Sequence, residues 1–482
     1  MILSMTHTHK QNHTAGRDRR LTIIVFSLFF SWLLAVPFEG QVLYVITDYH
    51  GITAHSFVFG AMAVHIAGLL ACTIFVRNMR TAKKLILFSI AFCAVATGVL
   101  FFPPSYLWTA ALLMASFFVG TCVAAWGFYF KEYSPKDKRI KTMADGLIFS
   151  NLLMILINVA AIHISPQIGL GFSIAVLAAA FLFALRLPQK DMPQEPTKRS
   201  GAKPDADKFN KLGALAFLCL FIVVITITSG LMYQVVNPAF AHLEWLTSWY
   251  WAVPYIAALF IMRNLSGKVN RAYILYVAIA MIGVSYILFV ILGRSWAHYL
   301  VVNTLLLGAC GIYDLFWWSI LGDMLEYGKN PVIILGVGLS ANVFGVLVGG
   351  IIGTAITTEQ NYILLVFGVI CAAFIMLPPL NKRLIKLLKN SVYLPAPAEP
   401  TVQEQVHIIK ELVLTEPLTA RESEVMNLLM TGKTYKAIAD ELYISENTVG
   451  SHARSVYTKA GAANRTELMN LLLKTPNSPS EQ

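Results

Sequence analysis

Apolar residues run in long, nearly unbroken stretches through most of the chain and give way, near residue 415, to short amphipathic segments of helical period. An α-helix needs about 20 apolar residues to cross roughly 30 Å of hydrocarbon. Runs of that kind begin near Leu21, His55, Leu85, Tyr106, Asp145, Ile168, Leu212, Leu246, Ala272, Ala297, Val332 and Asn361, which predicts about twelve transmembrane helices. After the last run, Lys382 to Lys389 forms a basic helix end suited to anionic headgroups. PAPAEP at Pro395 to Pro400 then reads as a stiff polyproline spacer. Between Val402 and Leu414, the residues Val402, Val406, Ile409 and Val413 recur at helical spacing, either as a short coil between two protomers or as a lid on the terminal domain.

Beyond Thr415 the pattern is that of a small soluble helical unit. Thr419-x-x-Glu422 is a capping box that opens a helix ending at Gly432, with Val425, Leu428 and Leu429 on one face. A second helix runs from Thr434 to about Leu442. Ser445 caps a third that reaches about Lys459, and Asn464-x-x-Glu467 opens a fourth. Two short helices joined by a tight turn at Tyr443 and Ile444 are a helix-turn-helix, whose second member enters the DNA major groove. The predicted fold class is therefore all-α: a polytopic membrane bundle of about twelve helices followed by a four-helix helix-turn-helix domain. The expected divisions are a cytoplasmic tail over 1–20, the bundle over 21–380, and a basic segment, Pro-rich linker and short amphipathic helix over 381–414. The helix-turn-helix domain then covers 415–475 and a disordered end 476–482.

Composition agrees with this division. Of 482 residues 57% are hydrophobic and 13% charged, an excess of apolar surface that only lipid accommodates. The net charge of +11 does not lie in the terminal domain, where acids and bases balance, but in the connections between apolar runs. Arg77, Arg80, Lys83 and Lys84 follow the second span; Lys131, Lys136, Lys138, Arg139 and Lys141 follow the fourth; Lys190, Lys198, Arg199 and Lys203 follow the sixth. The intervening turns hold Arg294 as their lone basic residue. By the positive-inside rule both termini are cytoplasmic, in a cell membrane. The first apolar stretch lacks a small-residue cleavage pattern and is expected to stay as the first helix. The six cysteines are isolated within apolar stretches, which suggests neither disulfides nor a zinc site, and no metal or cofactor is expected. His7, His9 and His13 read as solvated tail. The absence of a phosphate-binding Gly-Lys-Ser/Thr loop, an H-E-x-x-H pair and a nucleophile-base constellation argues against an enzyme.

Ionisable groups inside a span are costly unless paired or wetted, so they mark candidate ligand sites. Glu39, flanked by the helix-loosening Pro37 and Gly40, and Asp314, beside Phe316, Trp317 and Trp318, are the two acids of this kind. The alternative for each is a carboxyl satisfied by Asn, Tyr or backbone across the bundle. His65 and His163 read as hydrogen-bonded packing residues.

Two sets of six spans separated by the Pro- and Lys-rich segment Pro188 to Lys211 resemble the six-plus-six plan of the major facilitator superfamily. That family carries a Gly, Asp and Arg/Lys signature in the loops after its second and eighth spans. Here those loops read VRNMRTAKK and RNLSGKVNR, basic but lacking the acid, which counts against active transport. The segment Leu418 to Leu468, LTARESEVMNLLMTGKTYKAIADELYISENTVGSHARSVYTKAGAANRTEL, resembles the LuxR-type DNA-binding domain along its whole length. The matching positions include Leu418, Thr419, Arg421, Glu422, Lys436, Ile438, Ala439, Ile444, Ser445, Thr448, Val449, His452, Lys459 and Gly461. The resemblance implies binding to double-stranded promoter DNA, as a homodimer on two half-sites. Lys436, Thr448 and Lys459 would hold phosphates, while Asn447, Ser451 and Arg454 would read base edges. Where the family commonly has a basic residue this chain has Gly450. With no receiver or soluble ligand-binding domain before the DNA-binding unit, the preferred reading is a one-component regulator whose bundle senses a small molecule or the membrane state. The second reading is a secondary transporter with a regulatory DNA-binding tail.

Overall fold

The computed structural model describes residues 2–38, 40–52, 55–189, 206–265, 271–327, 330–356, 359–387, 418–430, 433–465 and 467–468. The chain divides into two compact units, Met1–Pro395 and Ala396–Gln482, and the described residues of both are helices, turns and loops without a strand. Glu39 and the linker, including the expected amphipathic helix over 402–414, lie outside the described residues.

The first unit begins with α1 (Ile2–Ala35), α2 (Gln41–Tyr49), α3 (His55–Phe75), α4 (Met79–Val99), α5 (Tyr106–Tyr133), α6 (Arg139–His163) and α7 (Pro166–Leu185). It continues with α8 (Ala206–Leu231), α9 (Asn237–Ala239), α10 (Glu244–Thr247), α11 (Val253–Asn264), α12 (Arg271–Ile291), α13 (Trp296–Met324), α14 (Pro331–Ala355) and α15 (Glu359–Leu387). Among the described residues ten helices are long and apolar enough to cross a membrane. The helices at the first and eighth of the expected twelve spans, α1 and α11, are not among these ten. Helix α1 stops at Ala35, two residues before Pro37, whose ring removes a backbone donor, and α2 resumes at Gln41. The eighth is only the 12-residue α11, opened by Pro254 in its first turn and preceded by a 3-10 turn at Tyr250–Ala252. A third irregularity is a π-helical turn, Met232–Val236, between α8 and α9, which widens the helix just before Pro238.

Without a hydrophobic driving force between helices in lipid, close packing and internal hydrogen bonds hold the bundle together. The α8 and α14 pair is built for contact at backbone distance. A side chain at Gly349 would lie 2.1 Å from the Ile227 carbonyl oxygen, and one at Gly230 would lie 2.2 Å from that of Val346. Two buried indoles bridge helices: that of Trp32 donates to Thr97 Oγ1 at 2.9 Å and that of Trp126 to the Thr22 carbonyl at 3.1 Å.

On the side bearing the basic connections, ion pairs join the first set of helices to the second. Asp145 of α6 accepts from Arg263 of α11 at 2.5 Å and lies 3.5 Å from Arg19 of α1. Arg139, buried at the start of α6, donates to the Gly322 carbonyl of α13 at 3.0 Å and pairs with Glu326 just beyond that helix. At the opposite end His163 Nε2 hydrogen-bonds Ser248 Oγ at 3.0 Å, again across the two sets.

The second unit contains α16 (Ala420–Met430), α17 (Tyr435–Leu442) and α18 (Glu446–Lys459) around a core of Val425, Leu429, Ile438, Val449, Val456 and Leu468. Of the fourth predicted helix only Arg465, Glu467 and Leu468 are described, opened by the Asn464 side chain, which accepts from the Glu467 N–H at 3.0 Å.

Replacing Gly349 by Val forces α8 and α14 apart. Overpacking of this kind costs about 1–3 kcal/mol, so the thermal midpoint of the purified protein in detergent should fall. Gly368→Val, at a position with open space around it, should leave the midpoint unchanged.

Candidate DNA interface and membrane cavity

In the terminal unit the capping box forms both of its hydrogen bonds. The Thr419 N–H donates to Glu422 Oε2 at 2.7 Å, and the Glu422 N–H donates to Thr419 Oγ1 at 3.3 Å. Thr434 caps α17 by accepting from the Ala437 N–H, and Ser445 caps α18 by accepting from the Thr448 N–H at 3.1 Å. Between these helices Tyr443 takes a left-handed conformation, φ 54°, that lets the chain reverse within three residues.

The face of α18 turned to solvent carries Asn447, Thr448, Ser451 and Arg454, all exposed, and Lys436 of α17 is exposed as well. Residues three or four apart share a helix face, so Asn447, Ser451 and Arg454 form one row. The Ser451 hydroxyl donates back to the Asn447 carbonyl at 3.1 Å, and the Arg454 guanidinium makes no hydrogen bond or ion pair among the described residues. The first turn of α18, with its N–H groups and Thr448, is suited to a phosphate.

Lys459 is placed differently from the rest. Its amine donates to Glu422 Oε2 at 2.8 Å and its side chain is 17% exposed, so it ties the end of α18 to the start of α16 and would have to leave Glu422 to reach DNA. Ser455 donates to the other Glu422 oxygen at 2.6 Å. These bonds, Lys459 first, then Ser455 and the Thr419 N–H, hold the Glu422 carboxyl down at about 2. Arg465 closes the far side by donating to the Lys433 and Leu429 carbonyls. Neither anchor is legible in the sequence, because Glu422 meets Lys459 across 37 residues and Arg465 meets Lys433 across 32. Gly450 is not demanded by packing, since a side chain there would meet only Tyr435, at 3.9 Å.

In the bundle, Asp314 lies on α13 at the wall of a cavity of about 200 Å³ between the two sets of helices. Tyr255 Oη donates to one carboxyl oxygen at 2.9 Å and the Trp317 indole to the other at 3.1 Å. Trp317 and Trp318 both line the cavity, their rings stacked with centroids 5.2 Å apart, whereas Phe316 is fully buried against Phe221. From the facing set come Phe30, Phe38, His65 and Asn151. His65 Nδ1 lies 3.2 Å from the Ser116 carbonyl and must donate to it, since a carbonyl oxygen only accepts. Tyr255 escaped the sequence reading because nothing in the spacing of α11 pairs it with α13. Met232 and Tyr233, on the π-helical turn, also face the cavity, in keeping with the frequent placement of such turns at functional sites.

The two units define the class of protein: a multi-pass helical membrane bundle fused to a helix-turn-helix domain. Residues 416–472 match the family described as GerE, bacterial regulatory proteins of the luxR family. Over 59 residues the chain is 41% identical to the HTH-type transcriptional regulator MalT of Yersinia pestis (strain Pestoides F), and equally to that of Serratia proteamaculans (strain 568). These matches cover 12% of this chain and 6% of the length of those regulators. The bundle is similar in fold to the human organic anion transporter MFSD10 (TETRAN), with a TM-score of 0.57 and 15% identity over 75% of this chain and 98% of that one. A LuxR-type DNA-binding domain is thus joined to a membrane domain of the major facilitator fold.

Two outcomes test the terminal domain. Because Glu422 is held below its ordinary value of 4.5, it favours the ionised native state. Its contribution is complete above that value and is lost as pH falls toward about 2. The thermal midpoint of the excised domain should drop over that window, and Glu422→Gln should flatten the dependence while lowering the midpoint at neutral pH. Gly450→Lys should stabilise the domain by about 0.5–1 kcal/mol through helix propensity. If the new lysine reaches a phosphate, it should also steepen the salt dependence of DNA binding by about one counterion, read from a fluorescence-anisotropy salt series.

Proposed function

We propose that this protein is a one-component transcription regulator of the cell membrane. The bundle binds a small molecule between its two sets of helices, and the LuxR-type domain acts at promoter DNA on the cytoplasmic side. The observation that carries this reading is the presence, in one chain, of a DNA-binding domain and a cavity with a partnered but charge-unneutralised carboxyl. A ligand that favours one of two packings of the bundle shifts their populations, provided it binds them unequally. The basic connections support cytoplasmic termini. On DNA the proposed contacts are Lys436 and Thr448 to phosphate and Asn447, Ser451 and Arg454 to bases, with a homodimer spanning two half-sites. Lys459 is proposed as an internal strut.

A second reading, a secondary transporter with a regulatory tail, draws on the similarity in fold to a transporter and on the cavity's position between the helix sets. The lack of an acidic residue in VRNMRTAKK and RNLSGKVNR favours the regulator.

The discriminating experiment is binding of the terminal segment 401–482 to fragments covering the promoter regions next to its own gene, across a salt series. Saturable preference for one fragment supports the regulator. No preference, in a folded tail tested also as a forced dimer, shifts the balance to the transporter. On a preferred fragment Arg454→Ala should cost about 1–3 kcal/mol of specific affinity, and an unchanged affinity removes Arg454 from the base-reading set.

A further inference from the structure

The chemistry of the cavity says more than that a small molecule enters it. Asp314 is the acid among the described residues that line it, and none of those residues is Lys or Arg. Both groups that hydrogen-bond the carboxyl, the Tyr255 hydroxyl and the Trp317 indole, are neutral donors. They satisfy lone pairs but supply no positive charge, so an ionised Asp314 presents an uncompensated negative field to whatever occupies the space. Around it stand the faces and edges of Phe30, Phe38, Trp251, Tyr255, Trp317 and Trp318. A carboxyl set among electron-rich rings attracts a cation both directly and through the ring quadrupoles, and it repels an organic anion. The volume, about 200 Å³, is enough for one ring and a short chain.

We infer that the ligand of the bundle is a compact organic monocation, an arylalkyl amine with its ammonium on Asp314 and its ring among the tryptophans. This rests on the reading of the cavity as a ligand site. Discrimination by charge is the consequence to look for. The competing occupant of the carboxyl is a proton, which would leave the site neutral and indifferent to ligand charge.

The test uses the full-length protein in nanodiscs and three probes of matched shape: 2-phenylethylamine, 2-phenylethanol and phenylacetate. Binding is read by quenching of intrinsic tryptophan fluorescence and by calorimetry. The expected result is saturable binding of the amine, tighter than that of the alcohol by about tenfold or more, with the anion excluded. Asp314→Asn should remove the preference for the amine over the alcohol while leaving the alcohol's affinity in place, a contrast within one variant that a folding defect does not mimic. Equal binding of amine and alcohol by the unaltered protein, preference for the anion, or no binding of the amine overturns the proposal. Measuring promoter-fragment affinity of the same nanodiscs with and without amine separates the two levels. Charge-selective binding that leaves DNA affinity unchanged supports the ligand class and ends the sensor reading. A DNA response to the alcohol or the acid as strong as to the amine ends the ligand class and keeps the sensor.

Discussion

Inside a bilayer a polar group has no water to turn to, and the bundle is organised around that constraint. The indole N–H groups of Trp32 and Trp126 reach oxygens on neighbouring helices, Thr97 Oγ1 and the Thr22 carbonyl. Backbone that leaves the helix, at residues 36–38 and in the π-helical turn at Met232–Val236, does so beside the cavity, which Phe38, Met232 and Tyr233 line. Asp314 is the instructive case, because both of its hydrogen bonds come from neutral donors. An acid in such surroundings is costly to keep.

The same constraint is absent at the membrane surface, and there charge is used freely between the helix sets. Asp145 joins α6 to α11 and, more loosely, to α1; Arg139 joins α6 to the end of α13. Asp314 and Glu326 lie twelve residues apart along α13 and its extension, roughly 18 Å at 1.5 Å per residue. One helix therefore carries both the carboxyl at the cavity and a link between the two sets.

The terminal domain solves the opposite problem. With short helices and a small core, it depends on caps and on a single well-connected carboxylate. Glu422 joins the first turn of α16 to Ser455 and Lys459 of α18, and Arg465 closes the end of α16. These anchors fix the angle at which α18 presents Asn447, Ser451 and Arg454, while those three remain exposed.

Long apolar runs, alternating basic connections and the capping residues Thr419, Thr434, Ser445 and Asn464 made the two-part plan legible in the chain alone, because each acts over one helix or one turn. The row Asn447, Ser451, Arg454 was legible for the same reason, helical period being a local property. Asp314 could be singled out as an acid in an apolar run, but whether it was paired could not, since Tyr255 reaches it across 59 residues. Of the twelve expected spans, ten are long apolar helices among the described residues, while regular helix ends beside Pro37 in the first stretch and begins beside Pro254 in the eighth. Lys459 looked like any basic residue at a helix end until folding set it on Glu422. The identity and order of the helices, and the residues each carries outward, thus follow from the chain read locally. Which charges meet is a matter of the folded bundle and domain, because partners distant along the chain are chosen by packing and not by spacing.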